Sequence, residues 1–197
     1  IVQEGKQTGR GSRMRKALKR SHAADKPFPL PDGWAWAVLP DLGEITGGST
    51  PSKAIESNWS GPIPWVSPKD MKVARIDDAQ DHVSDAALRG SLSLISPGSL
   101  LMIVRGMILA HSFPVAETGV PVTINQDMKA FTPFEPKLLP YLTLICMGMK
   151  REILGLVDRS THGTCKLESS KIFSLPIPIP PLAEQERIVA RAVLLRR

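Results

Sequence analysis

The sequence predicts an α+β fold, a twisted, mainly antiparallel or mixed sheet with a few helices, and three observations carry that expectation. Short apolar segments such as "IPWV" and "SLLMIV", rich in β-branched and aromatic residues, sit between Pro- and Gly-containing turns. One long stretch, "PKLLPYLTLICMGMKREILGLV" (136–157), repeats its apolar residues at helical spacing and has no turn signal after Pro140. A final stretch, "LPIPIPPLAEQERIVARAVLLRR" (175–197), passes from proline alternation straight into a charged amphipathic helix.

The elements follow in order. "PFPLPDGW" ends a basic leader, and Trp34, Trp36, Val38 and Leu39 open the first buried segment. "GGSTPS" (47–52) is a loop by composition, and Ile63, Trp65 and Val66 mark a short strand between turns. In "SLSLISPGSLLMIVRG" a Pro-Gly turn precedes the run Leu100 to Val104, too short for a helix and therefore a buried strand. "VPVTINQDMKAFTP" (120–133) alternates as a further pair of strand segments. The polar stretch 158–172 reads as a loop leading into a short helix. Near the end, Pro176, Pro178 and Pro180 lose their N–H groups along one edge while Ile177 and Ile179 keep theirs on the other, as in a one-sided edge strand or a stiff connector. Pro181, Glu184 and Glu186 then suit a helix start, and Arg187, Arg191, Arg196 and Arg197 its end. Ile188, Val189, Ala192 and Leu195 form an apolar stripe that needs a partner, and the chain stops before supplying one.

The totals narrow the classes of function. A chain of 197 residues suits one substantial domain with appendages. Two cysteines, Cys146 and Cys165, give neither a disulfide framework nor metal-ligand spacing and fit a reducing cytoplasm. No apolar run reaches the roughly 18 residues of a membrane span. The start lacks both a methionine and a signal-peptide layout, so the chain reads as a piece cut at both ends. Residues 1–26 hold eight basic side chains against Glu4 and Asp25 and so account for the whole net charge of +6. Such a leader is either a solvated linker or a phosphate-binding arm.

Catalytic motifs are missing. There is no glycine-rich dinucleotide loop, no P-loop and no paired-cysteine zinc site, and "IPPL" lacks the polar first residue of the Asn/Asp-Pro-Pro-aromatic tetrapeptide of DNA amino-methyltransferases. Pro40-Asp41 with Glu135 and Lys137 has a nuclease-like composition at far too long a separation, which makes it a coincidence of spacing. Of the four histidines, His22, His82 and His111 stand alone as ordinary loop or surface residues.

Polar chemistry gathers in three other places. "RSTHGTCK" brings Arg159, Ser160, His162, Thr164 and Lys166 together around a glycine, the groups that reach phosphates and base edges, although a solvated loop has the same composition. Arg105 leaves the end of a predicted strand in "VRG". Asn125 and Gln126 in "INQD" can each present a donor beside an acceptor, the pattern that reads adenine in the major groove, and an Asn-capped turn is the competing reading.

Five blocks in order, "LPDGWAWAVLPDLGEITGGSTPS", "WSGPIPWVSPKDM", "SPGSLLMIVRG", "TINQDMKAF" and "STHGTCKLESSKIFSLPIPIPPLAEQERIV", together resemble a target-recognition domain from the DNA-specificity (S) subunit of a type I restriction-modification enzyme. The resemblance runs from about Pro29 to Val189, and "IVQEGK" is similar to the end of the helix that precedes such a domain. It implies a recognition domain at 27–174, after a linker or helix end at 1–26 and before a proline-rich connector and the start of a long spacer helix at 175–197. It also implies a chain that reads one half of a bipartite duplex DNA site and has no catalysis or cofactor of its own. Methyltransferase subunits would bind S-adenosylmethionine, flip out the adenine and link the assembly to restriction subunits. A second recognition domain, in the same chain or a dimer mate, would read the other half-site.

On residue chemistry the DNA-facing set is Lys69, Arg105, Asn125, Gln126, Arg159, Ser160, His162, Thr164 and Lys166, with Lys150 and Arg151 as further phosphate contacts. Ile188, Val189, Ala192 and Leu195 are the docking set. The neutral body after Lys26 implies weak binding outside the assembly. Two other readings stay open, the recognition part of a methyltransferase or nuclease fusion, and a docking module without sequence preference.

Overall fold

In the computed structural model, which describes residues 27–159 and 163–195, the apolar segments assemble into two main sheets rather than one. The larger has five strands: β1 (Ala35–Ala37) stands apart from it, and β2 (Gly43–Gly47), β4 (Arg75–Ile76), β6 (Leu100–Ile103), β7 (Val115–Thr118) and β9 (Met128–Pro133) align in the order β2-β9-β6-β7-β4. Every neighbouring pair is antiparallel except β4 with β7. Strands β3 (Ile63–Val66), β5 (Asp81–Val83) and β8 (Thr123–Ile124) form the smaller sheet, with β3 in the middle, antiparallel to β5 and parallel to β8.

The sequence of β6 explains its place. Its four residues Leu-Leu-Met-Ile are all fully buried, which is possible only for a strand covered on both faces. Helices α1 (Leu39–Leu42) and α3 (Leu139–Gly148) contribute Leu39, Leu42, Leu139, Tyr141 and Leu142 to the same core, and Val66 and Ile124 of the smaller sheet join it. A second, smaller cluster unites Trp65 and Val83 with Ala87 of helix α2 (Asp85–Leu88) and with Leu92.

Between 136 and 157 the expected single helix is divided. A 3-10 turn (Pro136–Leu138) leads into α3, whose first turn accommodates Pro140, and the chain breaks at Met149 before α4 (Lys150–Gly155). The stretch 158–172, expected as a loop leading into a short helix, contains a small antiparallel pair, β10 (Asp158–Arg159) with β11 (Cys165–Lys166), and then the short helix α5 (Ser169–Ile172). Cys146 and Cys165 are both free and buried, and burial pushes the Cys146 thiol up to about 12.

The proline alternation forms strand β12 (Ile177–Ile179), antiparallel to β1 with Pro178 opposite Trp36. Ile177 and Ile179 are buried, so the edge-strand reading holds and the segment is part of the folded body. Tyr141 of α3 donates to the Pro178 carbonyl at 2.6 Å and ties the segment down. Helix α6 (Leu182–Leu195) follows, with the Pro181 carbonyl accepting from the N–H groups of Glu184 and Gln185. Gln185 is buried, and its amide donates to the Pro180 carbonyl at 2.8 Å.

One expectation about this helix needs correcting. Ile188 and Val189 are packed against the main core, because α6 runs back beside α3, so the N-terminal half of the stripe already has its partner. Ala192 is partly buried, and free apolar surface begins only at Val193, Leu194 and Leu195. No helix among the described residues is long and apolar enough to cross a membrane. The basic leader, residues 1–26, lies outside the described residues, as do Arg196 and Arg197.

Candidate nucleic-acid interface

The antiparallel register brings the ends of β2 and β6 and the start of β9 together. Gly47 at the end of β2 lies opposite Lys129, and Ile103 at the end of β6 lies opposite Met128, so both strands finish where β9 begins. Residues 125–127 form the turn that carries the chain from β8 into β9.

That turn is held from every side. Asn125 donates its backbone N–H to the Val66 carbonyl at 2.9 Å, and its side-chain Oδ1 accepts from the Asp127 N–H at 2.6 Å. The Asp127 carbonyl accepts from the N–H groups of Val104 and Arg105, at 2.8 and 3.2 Å. Next to it the 47–52 loop comes so close that a Cβ on Gly48 would lie 2.0 Å from the Asn125 carbonyl oxygen. Two indoles clamp this loop: Trp65 Nε1 donates to the Ser49 carbonyl at 3.0 Å, and Trp59 Nε1 to the Ser52 carbonyl at 3.2 Å. The hydroxyl of Thr50 then donates to Gln126 Oε1.

Strand β11 adds a fourth element. Gly106, at φ 136° in a region that glycine alone occupies freely, turns the chain after β6 and donates to the Cys165 carbonyl at 3.0 Å. Arg105 and Lys166 are thereby bridged side by side.

Two depressions flank the turn. The smaller, about 210 Å³, is lined by Arg105, Gln126, Lys129, Lys166, Glu168 and Ser169. A broader groove of about 940 Å³ is lined by Lys53, Trp59, Trp65, Lys69, Asp81 and Asn125. Asn125 faces one and Gln126 the other, so the turn forms the ridge between them. Of the cations, Lys166 pairs with Glu168 at 2.6 Å, and Arg105 stands 3.8 Å from Asp127, too far for a hydrogen bond. Lys53, Lys69 and Lys129 make no ion pair among the described residues, and the carboxylates of Glu56 and Asp81 share the broader groove with the first two.

Of the residues expected from the sequence, the structure gathers Lys69, Arg105, Asn125, Gln126 and Lys166 on this edge. Arg159 belongs to the adjoining hairpin, where its guanidinium donates to the Ala110 carbonyl at 3.1 Å. Thr164 is exposed in the same hairpin, whereas Ser160 and His162 lie outside the described residues. Lys150 and Arg151 are exposed on α4 and line neither depression. Sequence reasoning missed Lys53, Lys129, Thr50, Trp59 and Trp65. Lys129 carried a usable signal, since it is the outward residue between the buried Met128 and Ala130.

The nuclease-like set has a plain structural explanation. Asp41 Oδ2 accepts from the Val38 N–H at 3.4 Å and Glu135 Oε1 from the Lys137 N–H at 3.3 Å, so both carboxylates act as caps. Among the described residues no group of three or more His, Cys, Asp or Glu side chains is placed to hold a metal.

A family model described as "Type I restriction modification DNA specificity domain" matches residues 31–191, which takes in both sheets, the ridge and most of α6. The chain belongs to this family. The specificity domain is 38% identical over 156 residues to the EcoR124I/EcoR124II specificity subunit of Escherichia coli, a match covering 78% of this chain and 39% of that one. It is 29% identical over 165 residues to the MjaIX specificity subunit of Methanocaldococcus jannaschii, covering 81% of this chain and 37% of its relative. The chain thus spans well under half the length of either relative. Its fold is also that of a solved HsdS subunit from Thermoanaerobacter tengcongensis, with a TM-score of 0.66 at 21% identity over 96% of this chain and 44% of the other.

Proposed function

We propose that this specificity domain reads one half of a bipartite duplex DNA site, with the Asn125–Gln126 ridge entering the major groove and the flanking cations holding phosphates. The observation that supports this most is the convergence of Arg105, Asn125, Gln126, Lys129 and Lys166 on one edge, where three separate chain segments have been brought together to present them. Base readers that can be discriminating sit between positioning cations in such an arrangement. Lys53 and Lys69 extend the positive edge along the broader groove.

In this reading residues 27–174 do the recognition, and 175–197 connect them to a spacer helix through β12 and α6. The chain carries out no chemistry. Methyltransferase subunits dock on the exposed end of α6, at Val193, Leu194 and Leu195, and bring S-adenosylmethionine with them. Restriction subunits join through these partners, and a second recognition domain reads the other half-site.

The test is selection from random duplex DNA by the domain without residues 1–26, alone and with its methyltransferase partner. Enrichment of one short half-site supports sequence reading by the folded body. Failure to enrich with the partner present refutes it and leaves docking through α6 as the domain's role.

A further inference from the structure

The ridge presents donors and keeps its acceptors for itself. A free Asn or Gln offers an amide oxygen and an amide N–H2 side by side, which matches the acceptor and donor of adenine. Here both oxygens are already engaged. Asn125 Oδ1 accepts from the Asp127 N–H at 2.6 Å, and Gln126 Oε1 accepts from the Thr50 hydroxyl. Each oxygen has a second lone pair, but turning either amide to lie bidentate against a base would break the bond that fixes it. With both oxygens engaged, the two N–H2 groups are what the ridge has left to offer a ligand, and on the Gln126 side Arg105, Lys129 and Lys166 add further donors. Of the carboxylates around the ridge, Asp127 and Glu168 face Arg105 and Lys166, and Glu56 and Asp81 line the groove on the Asn125 side.

The surroundings preserve this arrangement. Gly48 lets the 47–52 loop lie directly on the Asn125 carbonyl, and the indoles of Trp59 and Trp65 hold the loop there, which keeps Thr50 at Gln126.

We propose that the Asn125–Gln126 ridge is a donor-only reader that selects the paired acceptors N7 and O6 of guanine over the mixed edge of adenine, with Thr50 as the positioning residue that sets this choice. The proposal rests on the DNA-reading function above. Arg105, 50% exposed and only loosely held by Asp127, is free to add its fork to the same kind of edge.

The experiment uses the full specificity subunit in complex with its methyltransferase and the half-site found by selection. Each guanine is replaced in turn by adenine and by 7-deazaguanine, which lacks the N7 acceptor. The expected result is one guanine at which either replacement lowers affinity by roughly 5- to 150-fold. Gln126→Ala, at an exposed position, or Asn125→Asp, which keeps the oxygen needed by the turn but removes the donor, should abolish that discrimination and leave the other positions intact. Thr50→Val should release Gln126 Oε1 and raise the relative affinity for adenine at that position. An enriched site whose discrimination is unchanged in Asn125→Asp and Gln126→Ala, or whose lost position is an adenine, overturns the proposal and leaves DNA reading in place. A selection that enriches nothing overturns both.

Discussion

Substituting Gly48 by alanine tests whether the loop and the ridge form one unit. The new Cβ would sit 2.0 Å from the Asn125 carbonyl oxygen and 2.4 Å from that of Ile124, both backbone atoms that cannot rotate away. Restoring an ordinary contact of 3.4 Å needs a displacement of roughly 1.4 Å. Such a shift stretches the Ser49 N–H bond to the Ile124 carbonyl, now 2.9 Å, beyond bonding range. Overpacking costs about 1–3 kcal/mol and the lost hydrogen bond about 0.5–1.5 kcal/mol, together about 2–4 kcal/mol. For a domain of this size that lowers Tm by roughly 5–15 °C, measurable by differential scanning calorimetry. Gly148→Ala is the control: nothing lies within 4 Å of its added Cβ, at the end of α3, and stability should stay level or rise by up to about 1 kcal/mol. A Gly48→Ala protein melting within 1 °C of the parent would show that the loop and the turn are not packed as one unit.

Three further outcomes are expected. Lys166→Ala should weaken binding to all DNA sequences alike and reduce the slope of log affinity against log salt by about 1, as titrations at several salt concentrations would show. Tyr141→Phe removes the 2.6 Å bond to the Pro178 carbonyl and should lower stability in urea by about 1 kcal/mol, with DNA preference unchanged. At alkaline pH, burial raises the Cys146 thiol from 9.0 to about 12 and the Tyr141 phenol from 10.0 to about 12. Both groups hold their protons more tightly when folded, so their contribution is complete below pH 9 and is lost as pH climbs toward 12. Cys146→Ala should therefore extend the stable plateau from about pH 9 to about pH 10 in urea titrations across that range.

Elements with a strong local signal were legible in the sequence. The four buried residues of β6 and the Ile-Pro alternation of β12 announce themselves through pattern and missing donors. The β10–β11 region was not legible in the same way: the two strands are two residues each and polar apart from Cys165, and their hold on the body comes from Gly106 and Val104, which bond Cys165 and Leu167 from a distant segment. The stripe on α6 shows a different limit. Its spacing foretells burial of Ile188 and Val189, but their partner, α3, is more than thirty residues away in sequence, and spacing alone does not name it.

The interface divides likewise. Arg105, Asn125, Gln126 and Lys166 were visible as polar residues at the ends of apolar segments, which is where antiparallel strands deliver their loops. Lys53, Trp59 and Trp65 were not, because their role depends on how the 47–52 loop is clamped onto a turn more than seventy residues further along. The use of Asn125 Oδ1 within its own turn was foreshadowed by the Asn-capped reading of "INQD".

The most direct test of the proposed DNA-reading edge is amide hydrogen exchange of the specificity subunit with its methyltransferase, compared with and without the selected DNA. DNA binding at this edge should give new protection at residues 47–53, 104–106, 125–129 and 165–168, where the ridge and its two depressions lie, and none on α6 beyond what the methyltransferase already gives. Protection at the far sheet edge, β4 and β7, with no change at 125–129 would contradict it.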